Sequence, residues 1–383
     1  MTHNVSQLLT DNVARDWIAD ARQLAVPFGK RASEHDRDGT FVSDNFAELR
    51  EAGFFSAGIP AELGGGGAGF QDVAGIIREI GKQCGSTALT FAMHSHTVGA
   101  NVYKHRRGDD SATATLQKIA ANEWIISTTG ANDWLQSSGT AERVDGGFRI
   151  NARKRFVSGC VGADVLATSV TFDSESGPEV LHFVIPRMTE GVEINETWDT
   201  LGMRGTGSHD VIYSDVFVAD ASIVARRPAG KWHPMWEVIL PTAMPLICSA
   251  YVGIAESAAS LALESAKRRG ADLAGAAGEL TNALTVARLA LDHMIHLNGD
   301  HNFAPGVELV SDILARKAIV AESVKQAVEL AAELVGGPGF YRGHAMERFV
   351  PDIRALHYHP LPLRRQLIFS GRVQLGLDAI GES

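Results

Sequence analysis

The chain has 383 residues, of which 45% are hydrophobic, and this is enough apolar material for two or three packed subdomains. Its formal net charge of -10 argues against a nucleic-acid partner and against binding to anionic lipid, since both need clustered Lys and Arg. The composition therefore predicts an ordinary soluble globular protein without a nucleic-acid or membrane partner.

Helical apolar spacing characterises the chain up to about residue 120. In the segments from Phe41 to Arg50 and from Val73 to Ile80, hydrophobic side chains recur at intervals of three and four residues. Glycines at 64–67 interrupt this pattern, as expected for a loop. The pattern predicts an N-terminal helical domain over residues 1–120.

Short β-branched runs divided by turns follow from about residue 121. The sequence Asp145-Gly146-Gly147 separates two alternating segments, which is typical of a β-hairpin. Further strands are predicted within 124–129, 148–150, 165–170 and 180–185. A middle β-domain is therefore expected over residues 121–225.

Ala-rich helical stretches return after about residue 235. They cover 250–269, 280–297 and 310–334, and the spacing of their apolar residues again favours helices. We expect a C-terminal helical bundle over residues 226–383, with no internal repeat and no long linker.

The three cysteines, Cys84, Cys160 and Cys248, are scattered without C-x-x-C spacing. This pattern predicts neither a disulfide framework nor a metal site, and it fits a reducing compartment. Residues 1–20 are polar and amphipathic, unlike a secretory signal, and no run is expected to approach the ~18 apolar residues of a membrane span. We therefore expect a cytoplasmic protein.

The most specific motif lies near the C-terminus. A Gly-rich turn, Gly336-Gly337-Pro338-Gly339, precedes Glu347-Arg348 and Asp352-Ile353-Arg354. This arrangement resembles the C-terminal signature of the acyl-CoA dehydrogenase superfamily. Further matches, in the expected order along nearly the whole chain, lie within 46–55, 59–65, 84–88, 201–206 and 215–218. The resemblance implies a mostly α fold with a central β-domain, namely an N-terminal helical domain, a middle β-barrel and a C-terminal four-helix bundle that drives assembly.

The same resemblance exposes a missing catalytic base. Oxidation of an acyl-CoA at Cα–Cβ needs a carboxylate to remove the α-proton, yet Pro360 occupies the position where dehydrogenases of this superfamily commonly carry glutamate. Some members place the glutamate on an earlier helix, and Ala243 aligns there. Glu256 on the following helix is a fallback base, although a single glutamate on an Ala-rich helix is more often solvated or ion-paired.

A branch of the superfamily that uses reduced flavin and dioxygen accounts for other residues. The run from Gly139 to Gly147 and the sequence Phe156-Val157-Ser158-Gly159-Cys160 resemble the patterns of two-component hydroxylases and dibenzothiophene monooxygenase. In that branch the oxygen-activating groups align with His94, Ser158 and His359, the predicted catalytic residues. Their donors would stabilise a flavin C4a-hydroperoxide and polarise its distal oxygen in a pocket that excludes water.

Each of these residues also has an ordinary structural interpretation. His94 is as readily a packed core histidine, and Ser158 can be a turn serine. His359 precedes a proline and can be a solvated loop residue, with His357 as a rival two positions away. The resemblance favours flavin contact for Ser158 and favours His359 over His357.

The resemblance also implies the residues that hold the cofactor, FAD or FMN. Ser127, Thr128 and Thr129 would hold the isoalloxazine edge beside Ser158, and Phe156 would stack near the ring. Arg269, Gly336 and Gly337 would lie near the ADP half, although Gly270-Ala271-Asp272 and Glu333 depart from the family pattern there. A carboxylate facing pyrophosphate is unfavourable, which predicts FMN or loosely held FAD.

The sequence thus predicts a flavin-dependent oxidoreductase, in first place a reduced-flavin monooxygenase acting on a small aromatic or hydrophobic substrate. Trp134, Trp198, Trp232, Trp236 and Phe340 are candidates for an aromatic-lined pocket, although tryptophans are mostly packing residues. Because no nicotinamide-binding G-x-G-x-x-G motif follows a strand, a separate flavin reductase is the expected partner. A homo-oligomer is also expected, with the tetramer favoured. The alternatives are an FAD-dependent acyl-CoA dehydrogenase with a displaced base and a non-catalytic flavoprotein.

Overall fold

The computed structural model describes residues 15–129 and 133–381. Within these residues six α-helices come first, then a β-region, then five α-helices, which confirms the predicted helix, sheet, helix order and the acyl-CoA dehydrogenase-like architecture. The helices are α1 (Trp17–Leu24), α2 (Val26–Asp38), α3 (Ser43–Glu51), α4 (Phe70–Gln83), α5 (Gly85–His105), α6 (Asp110–Asn122), α7 (Met235–Lys267), α8 (Ala274–Asn298), α9 (Val307–Val335), α10 (Met346–Arg354) and α11 (Leu363–Gln374).

Between α6 and α7 the described residues form eight strands. They are β1 (Ile126–Thr128), β2 (Thr140–Val144), β3 (Gly147–Val157), β4 (Val165–Ser174), β5 (Gly177–Pro186), β6 (Val192–Asn195), β7 (His209–Ala219) and β8 (Ile223–Pro228). Their order in the sheet is β6-β7-β3-β2-β4-β5-β8, and β1 pairs in parallel with β4. The predicted hairpin joins β2 to β3 through Asp145 and Gly146, whose positive φ of 72° suits glycine.

The change from helix to strand falls between α6 and β1, and the return to helix falls between β8 and α7. The predicted domain boundaries, 120/121 and 225/226, lie within the last turn of α6 and within β8. Separate apolar cores fill the N-terminal helices, the sheet and the C-terminal bundle.

Helix α7 is the central helix of the molecule, since it packs against α4, α5, α8 and α9. Its crossing with α4 is close: a Cβ added at Gly81 would lie 2.5 Å from the Ala250 carbonyl oxygen, and one added at Gly253 would collide with the carbonyl of Arg78. Both glycines therefore allow the two backbones to approach more closely than any side chain would permit.

The helix begins at Met235, well before the predicted start at residue 250, and runs through Pro241 and Pro245. Pro245 lacks the N–H that would bond the Pro241 carbonyl. Asn298 from α8, fully buried, donates its Nδ2–H to that carbonyl instead, at 3.2 Å. A tertiary donor thus replaces the missing helical hydrogen bond, which sequence spacing does not reveal.

The expectation that no apolar run approaches the length of a membrane span is wrong for α7. By length and composition this helix is apolar enough to cross a membrane, with a mean hydropathy of 1.8 over its most apolar window. However, 89% of that window is buried inside the protein. The apolar run is long because it faces neighbouring helices on all sides, as in the core helix of a bundle.

Candidate functional site

The segment from Ser127 to Thr129 is fixed beside strand β4. Ser127 pairs with Leu166 and Thr128 pairs with Ala167 in the parallel register of β1 and β4. Thr129 continues the contact, because its N–H donates to the Ala167 carbonyl at 3.2 Å and its hydroxyl lies 2.8 Å from that of Thr168. The three residues that are predicted to hold the rim of a flavin ring therefore lie in one continuous segment alongside β4. We call this segment the Ser127 to Thr129 edge.

The turn at Ser158 and Gly159, which follows β3, packs against this edge. Gly159 has a positive φ of 75°, and its N–H donates to the Thr206 carbonyl at 2.9 Å. A Cβ at Gly159 would collide with Thr90 and would lie 3.3 Å from Ser127 Oγ. Only glycine fits this position, and the close approach brings the predicted contact residues Ser127 and Ser158 into one place.

A chain of hydroxyl groups leads to Ser158 from the loop before β7. Thr206 Oγ1 lies 2.9 Å from the Met203 carbonyl and 2.7 Å from Ser208 Oγ, and its single proton is donated to Ser208 because the Ser208 proton goes to Ser158. Ser208 in turn donates to Ser158 Oγ at 2.8 Å. Because Ser158 accepts this bond, its own proton remains available for a ligand.

Thr206 and Ser208 were not predicted as site residues. The segment from Leu201 to Thr206 was recognised only as a family match, and nothing in the spacing of Thr206 and Ser208 indicates that their hydroxyls reach β3. The register of β3 and β7 places them there, with Val157 opposite His209.

Phe156 presents an open aromatic ring beside the Ser158 turn. Its side chain is 41% exposed, and its ring centroid lies 5.1 Å from that of Trp198. Trp198 is fixed by its indole N–H, which donates to the Met203 carbonyl at 2.9 Å. An exposed ring next to hydroxyl donors suits contact with a planar group.

The aromatic residues that are candidates for a substrate pocket lie in separate parts of the structure. Trp134 contacts Trp232, with ring centroids 6.0 Å apart, whereas Trp198 belongs to the Phe156 contact. Phe340 is 95% exposed. The described residues therefore do not form the single aromatic-lined pocket that was considered from the sequence.

His94 lies buried in α5 between the N-terminal helices and β1. Its Nε2 lies 2.8 Å from the Phe55 carbonyl, and its Nδ1 accepts the Ile126 N–H at 3.1 Å. A neutral ring with its proton on Nε2 satisfies both contacts, and burial lowers the pKa of His94 to about 4. Both ring nitrogens of His94 are bonded to the backbone, so this side chain fixes the start of β1 against the N-terminal helices. The catalytic role of His94 stays a prediction.

His359 lies in the loop between α10 and α11. Its Nε2 is 2.9 Å from the Tyr251 hydroxyl. Burial, followed by the charge of Lys317, lowers the pKa of His359 to about 3, so its imidazole is neutral at physiological pH. The described contacts do not join His359 directly to Ser158. His357 points elsewhere, since its Nδ1 is 3.6 Å from Glu322.

Arg269 and Gly336 meet at the C-terminal end of α9, and Gly337 follows next in the chain, where no described atom lies close to the position that a Cβ would take. The Arg269 guanidinium donates to the Leu334 carbonyl at 2.7 Å and to the Val335 carbonyl at 3.3 Å. A Cβ at Gly336, whose φ is 71°, would lie 3.2 Å from the same guanidinium. In this arrangement Arg269 caps a helix, and its predicted contact with a cofactor stays a prediction.

Glu256, the fallback base, is held by three cations at the junction of α4, α7 and α8. Arg78 contacts both carboxylate oxygens, Arg288 Nε lies 2.7 Å from Oε1, and Lys82 Nζ lies 3.5 Å from Oε2. Although burial opposes ionisation, the bonds to Arg78 and Arg288 keep the pKa of Glu256 below its usual value. A carboxylate neutralised in this way is a poor proton acceptor.

The residues around Ser158 suit a flavin ring. The free Ser158 proton and the Ser127 to Thr129 edge offer hydrogen bonds, Phe156 offers an open aromatic face, and Gly159 removes the side chain that would obstruct close approach. When bound, a flavin supplies two-electron chemistry, including the reaction of its reduced form with dioxygen. The protein supplies hydrogen-bond donors and an open aromatic face.

Comparison with known proteins identifies the family. The chain matches the N-terminal, middle and C-terminal domains of acyl-CoA dehydrogenase over residues 14–123, 127–216 and 240–358. It is 26% identical over 378 residues to YdbM of Bacillus subtilis (strain 168), a protein provisionally named an acyl-CoA dehydrogenase, covering 93% of this chain and 96% of YdbM.

Two further similar proteins are a monooxygenase and a protein solved with FMN bound. Dibenzothiophene monooxygenase of Rhodococcus qingshengii is 26% identical over 382 residues, covering 91% of each chain. The solved structure of KijD3 in complex with FMN and dTDP-3-amino-2,3,6-trideoxy-4-keto-3-methyl-D-glucose has a TM-score of 0.87 and 25% identity, covering 98% of this chain and 96% of KijD3.

The protein is a flavin-dependent oxidoreductase by fold and by relatives. The chain belongs to the acyl-CoA dehydrogenase family, and its likeness to the monooxygenase branch, predicted from the sequence, is confirmed.

Proposed function

We propose that this protein is the oxygenase component of a two-component system, which uses reduced FMN and dioxygen to oxygenate a small aromatic or hydrophobic compound. The observation that carries the proposal is the donor set at the Ser158 turn. Ser158 keeps a proton that no described residue accepts, whereas the two positions expected to hold a dehydrogenase base are Ala243 and Pro360.

In the proposed reaction one oxygen atom of dioxygen enters the substrate and the other leaves as water. A bound reduced flavin would supply the two electrons. Ser158 would donate a hydrogen bond at the flavin edge, and neutral His359 would supply a second donor there. Such donors act best where water is excluded, because an unscreened hydrogen bond is stronger and free peroxide is not lost.

FMN is the favoured form of the cofactor. The ADP half of FAD would need partners near the C-terminal end of α9, where Arg269 already bonds two carbonyls and where the carboxylate of Glu333 is exposed. A separate reductase is the proposed source of reduced FMN, because this chain's sequence has no nicotinamide-binding motif.

The dehydrogenase alternative requires a base that the described site does not offer. Glu256 is neutralised by Arg78, Arg288 and Lys82. This alternative predicts anaerobic bleaching of bound FAD by an acyl-CoA, and the oxygenase proposal predicts no such bleaching.

A stopped-flow experiment tests the proposal without knowledge of the substrate. Reduced FMN bound to the protein is mixed with dioxygen, and dioxygen consumption is followed together with the appearance of oxidised flavin and hydrogen peroxide. We expect a delay between dioxygen consumption and flavin oxidation. Oxidised flavin and peroxide that appear at the rate of free FMN would contradict the proposal.

Self-association into a tetramer and a cytoplasmic location are further parts of the proposal. Helix α11 carries an exposed apolar face formed by Leu363, Leu367 and Ile368, of which the last two are 59% and 64% exposed. A face of this kind is typical of a subunit contact. The three cysteines are buried and unpaired, which fits a reducing compartment.

A further inference from the structure

The loop that carries His359 is held by two buried side chains from neighbouring helices. Tyr251 of α7 contacts the His359 ring, with the hydroxyl 2.9 Å from Nε2 and ring centroids 5.7 Å apart. Lys317 of α9 binds the loop backbone, because its Nζ donates to the His359 carbonyl at 2.9 Å and to the Leu361 carbonyl at 3.2 Å. The ring and its backbone are therefore fixed independently.

The Tyr251 hydroxyl is the donor in its bond with His359. Tyr251 is fully buried, and among the described residues its hydroxyl has only His359 Nε2 as a partner. If Nε2 carried the proton, the hydroxyl would accept it and would leave its own hydrogen buried without an acceptor, which is costly. Donation by Tyr251 avoids this cost and places the single proton of a neutral imidazole on Nδ1.

Lys317 keeps the ring neutral as well as in place. Its side chain is only 2% exposed, and no carboxylate in the described part of the chain lies within ion-pair distance of it. An unpaired ammonium in this position opposes a second positive charge on His359. Within the described part of the chain, the imidazole is influenced by one cation, Lys317, and one buried phenol, Tyr251.

We propose that Tyr251 and Lys317 are positioning residues for His359, which together hold it as the Nδ1–H tautomer with Nδ1 as the donor presented to the reacting oxygen. No described residue bonds Nδ1. The contact between Nδ1 and the flavin edge rests on the proposed function. The tautomer of His359 does not depend on that function. Sequence spacing gives no sign of this grouping, since its members come from three separate segments.

Nitrogen NMR of the flavin-free chain, labelled with ¹⁵N-histidine, tests the tautomer directly. The His359 signals are assigned by their loss in His359→Gln, and spectra are recorded near neutral pH. We expect the Nδ1–H pattern in the wild type. In Tyr251→Phe we expect a shift toward the Nε2–H form, whereas Tyr358→Phe, which removes an exposed hydroxyl from the neighbouring residue, should leave the pattern unchanged.

An Nε2–H pattern in the wild type would overturn the proposal, and so would an unchanged pattern in a folded Tyr251→Phe variant. Lys317→Met provides a second measurement: we expect the pKa of His359 to rise toward its ordinary value, and an unchanged pKa would contradict the role of Lys317. With reduced FMN, Tyr251→Phe should release peroxide about tenfold faster without weaker FMN binding, as expected for the loss of one hydrogen bond.

The two proposals fail in different experiments. An Nδ1–H tautomer in a protein that does not delay flavin oxidation would leave the positioning role intact and refute the oxygenase function. A delayed flavin oxidation together with an Nε2–H tautomer would refute the positioning role and leave the oxygenase function intact.

Discussion

At the scale of single residues, Ser158 differs from its neighbours in where its proton can go. Thr206 donates to Ser208 and Ser208 donates to Ser158, so the protons of two of the three linked hydroxyls are committed within the protein. Ser158 stands at the end of this chain, where its oxygen accepts and its proton remains free. A hydroxyl polarised in this way is a stronger donor than an isolated one.

Substitution of Ser158 by Ala tests this role. We expect the delay between dioxygen consumption and flavin oxidation to shorten about tenfold to a hundredfold, because a hydrogen bond to a developing charge contributes roughly 1.5–3 kcal/mol. Stopped-flow absorbance and peroxide yield measure the effect. Ser176→Ala, at an exposed turn, is the matched control, and equal behaviour of the two variants would contradict the assignment.

The sequence predicted some of these residues and not others for a physical reason. Ser127, Ser158 and Phe156 follow the family pattern, and the structure brings them to neighbouring positions. His94 and Arg269 follow the pattern too, but their ring and guanidinium bond to backbone carbonyls of Phe55 and Leu334. Such partners depend on how separate elements pack, which local spacing does not encode.

At the scale of elements, Glu256 links three helices. Its carboxylate on α7 joins Arg78 and Lys82 of α4 to Arg288 of α8. The close crossing of α4 and α7 at Gly81 and Gly253 places these groups together. The cluster therefore stabilises the junction between the N-terminal helices and the C-terminal bundle.

The substitution Glu256→Gln separates this structural role from a catalytic one. We expect a loss of about 1–3 kcal/mol in the free energy of unfolding, because three cations lose their counter-charge but keep partial contact with water. Urea denaturation measures it, and Glu264→Gln, at an exposed ion pair on the same helix, should change stability by less than ~1 kcal/mol. The delay in flavin oxidation should persist. Loss of an acyl-CoA dehydrogenase activity in Glu256→Gln would instead make Glu256 a base.

The sequence predicts the order of the helical and β regions better than it predicts where the individual helices begin. Apolar periodicity and the Asp145-Gly146 turn identified the helical and β zones, because local spacing decides which face is buried. The start of α7 was missed, since prolines usually end helices, and here Asn298 supplies the missing hydrogen bond from another helix.

At the scale of the whole molecule, several buried and half-buried histidines make stability depend on pH. Burial lowers the pKa of five of them to about 3 or about 4, namely His94, His96, His182, His301 and His359. Burial raises the pKa of Asp352 to about 7, which has the opposite effect. Between pH 4 and 6.5 the unfolded chain binds protons on these histidines that the folded chain does not bind.

Stability should therefore fall as the pH is lowered from about 6.5 toward 4. Asp352 is protonated in the folded state and releases its proton on unfolding, which offsets one of the protons that the histidines take up. Unfolding near pH 5.5 should therefore take up about two to four protons. Urea denaturation at closely spaced pH values measures the slope. A free energy of unfolding that stays constant or rises on acidification from pH 6.5 to 5 would contradict this expectation.

The exposed face of α11 predicts how copies of the chain associate. Leu367→Lys places a charge on this face without disturbing a buried contact, since Leu367 is exposed in the single chain. We expect the oligomer to dissociate at micromolar concentration while the circular dichroism spectrum is retained. Sedimentation velocity measures the mass, with Val224→Lys, on exposed β8, as the control, and an unchanged mass in Leu367→Lys would exclude this face as the contact.

A crystal structure of the protein with FMN bound tests the central claim most directly. The proposed function predicts that Ser158 Oγ and His359 Nδ1 lie within hydrogen-bonding distance, below about 3.2 Å, of the N5–C4a edge or of an atom bound against it, with no carboxylate at that edge. An aspartate or glutamate side chain facing N5 would restore the dehydrogenase reaction and would contradict the proposal.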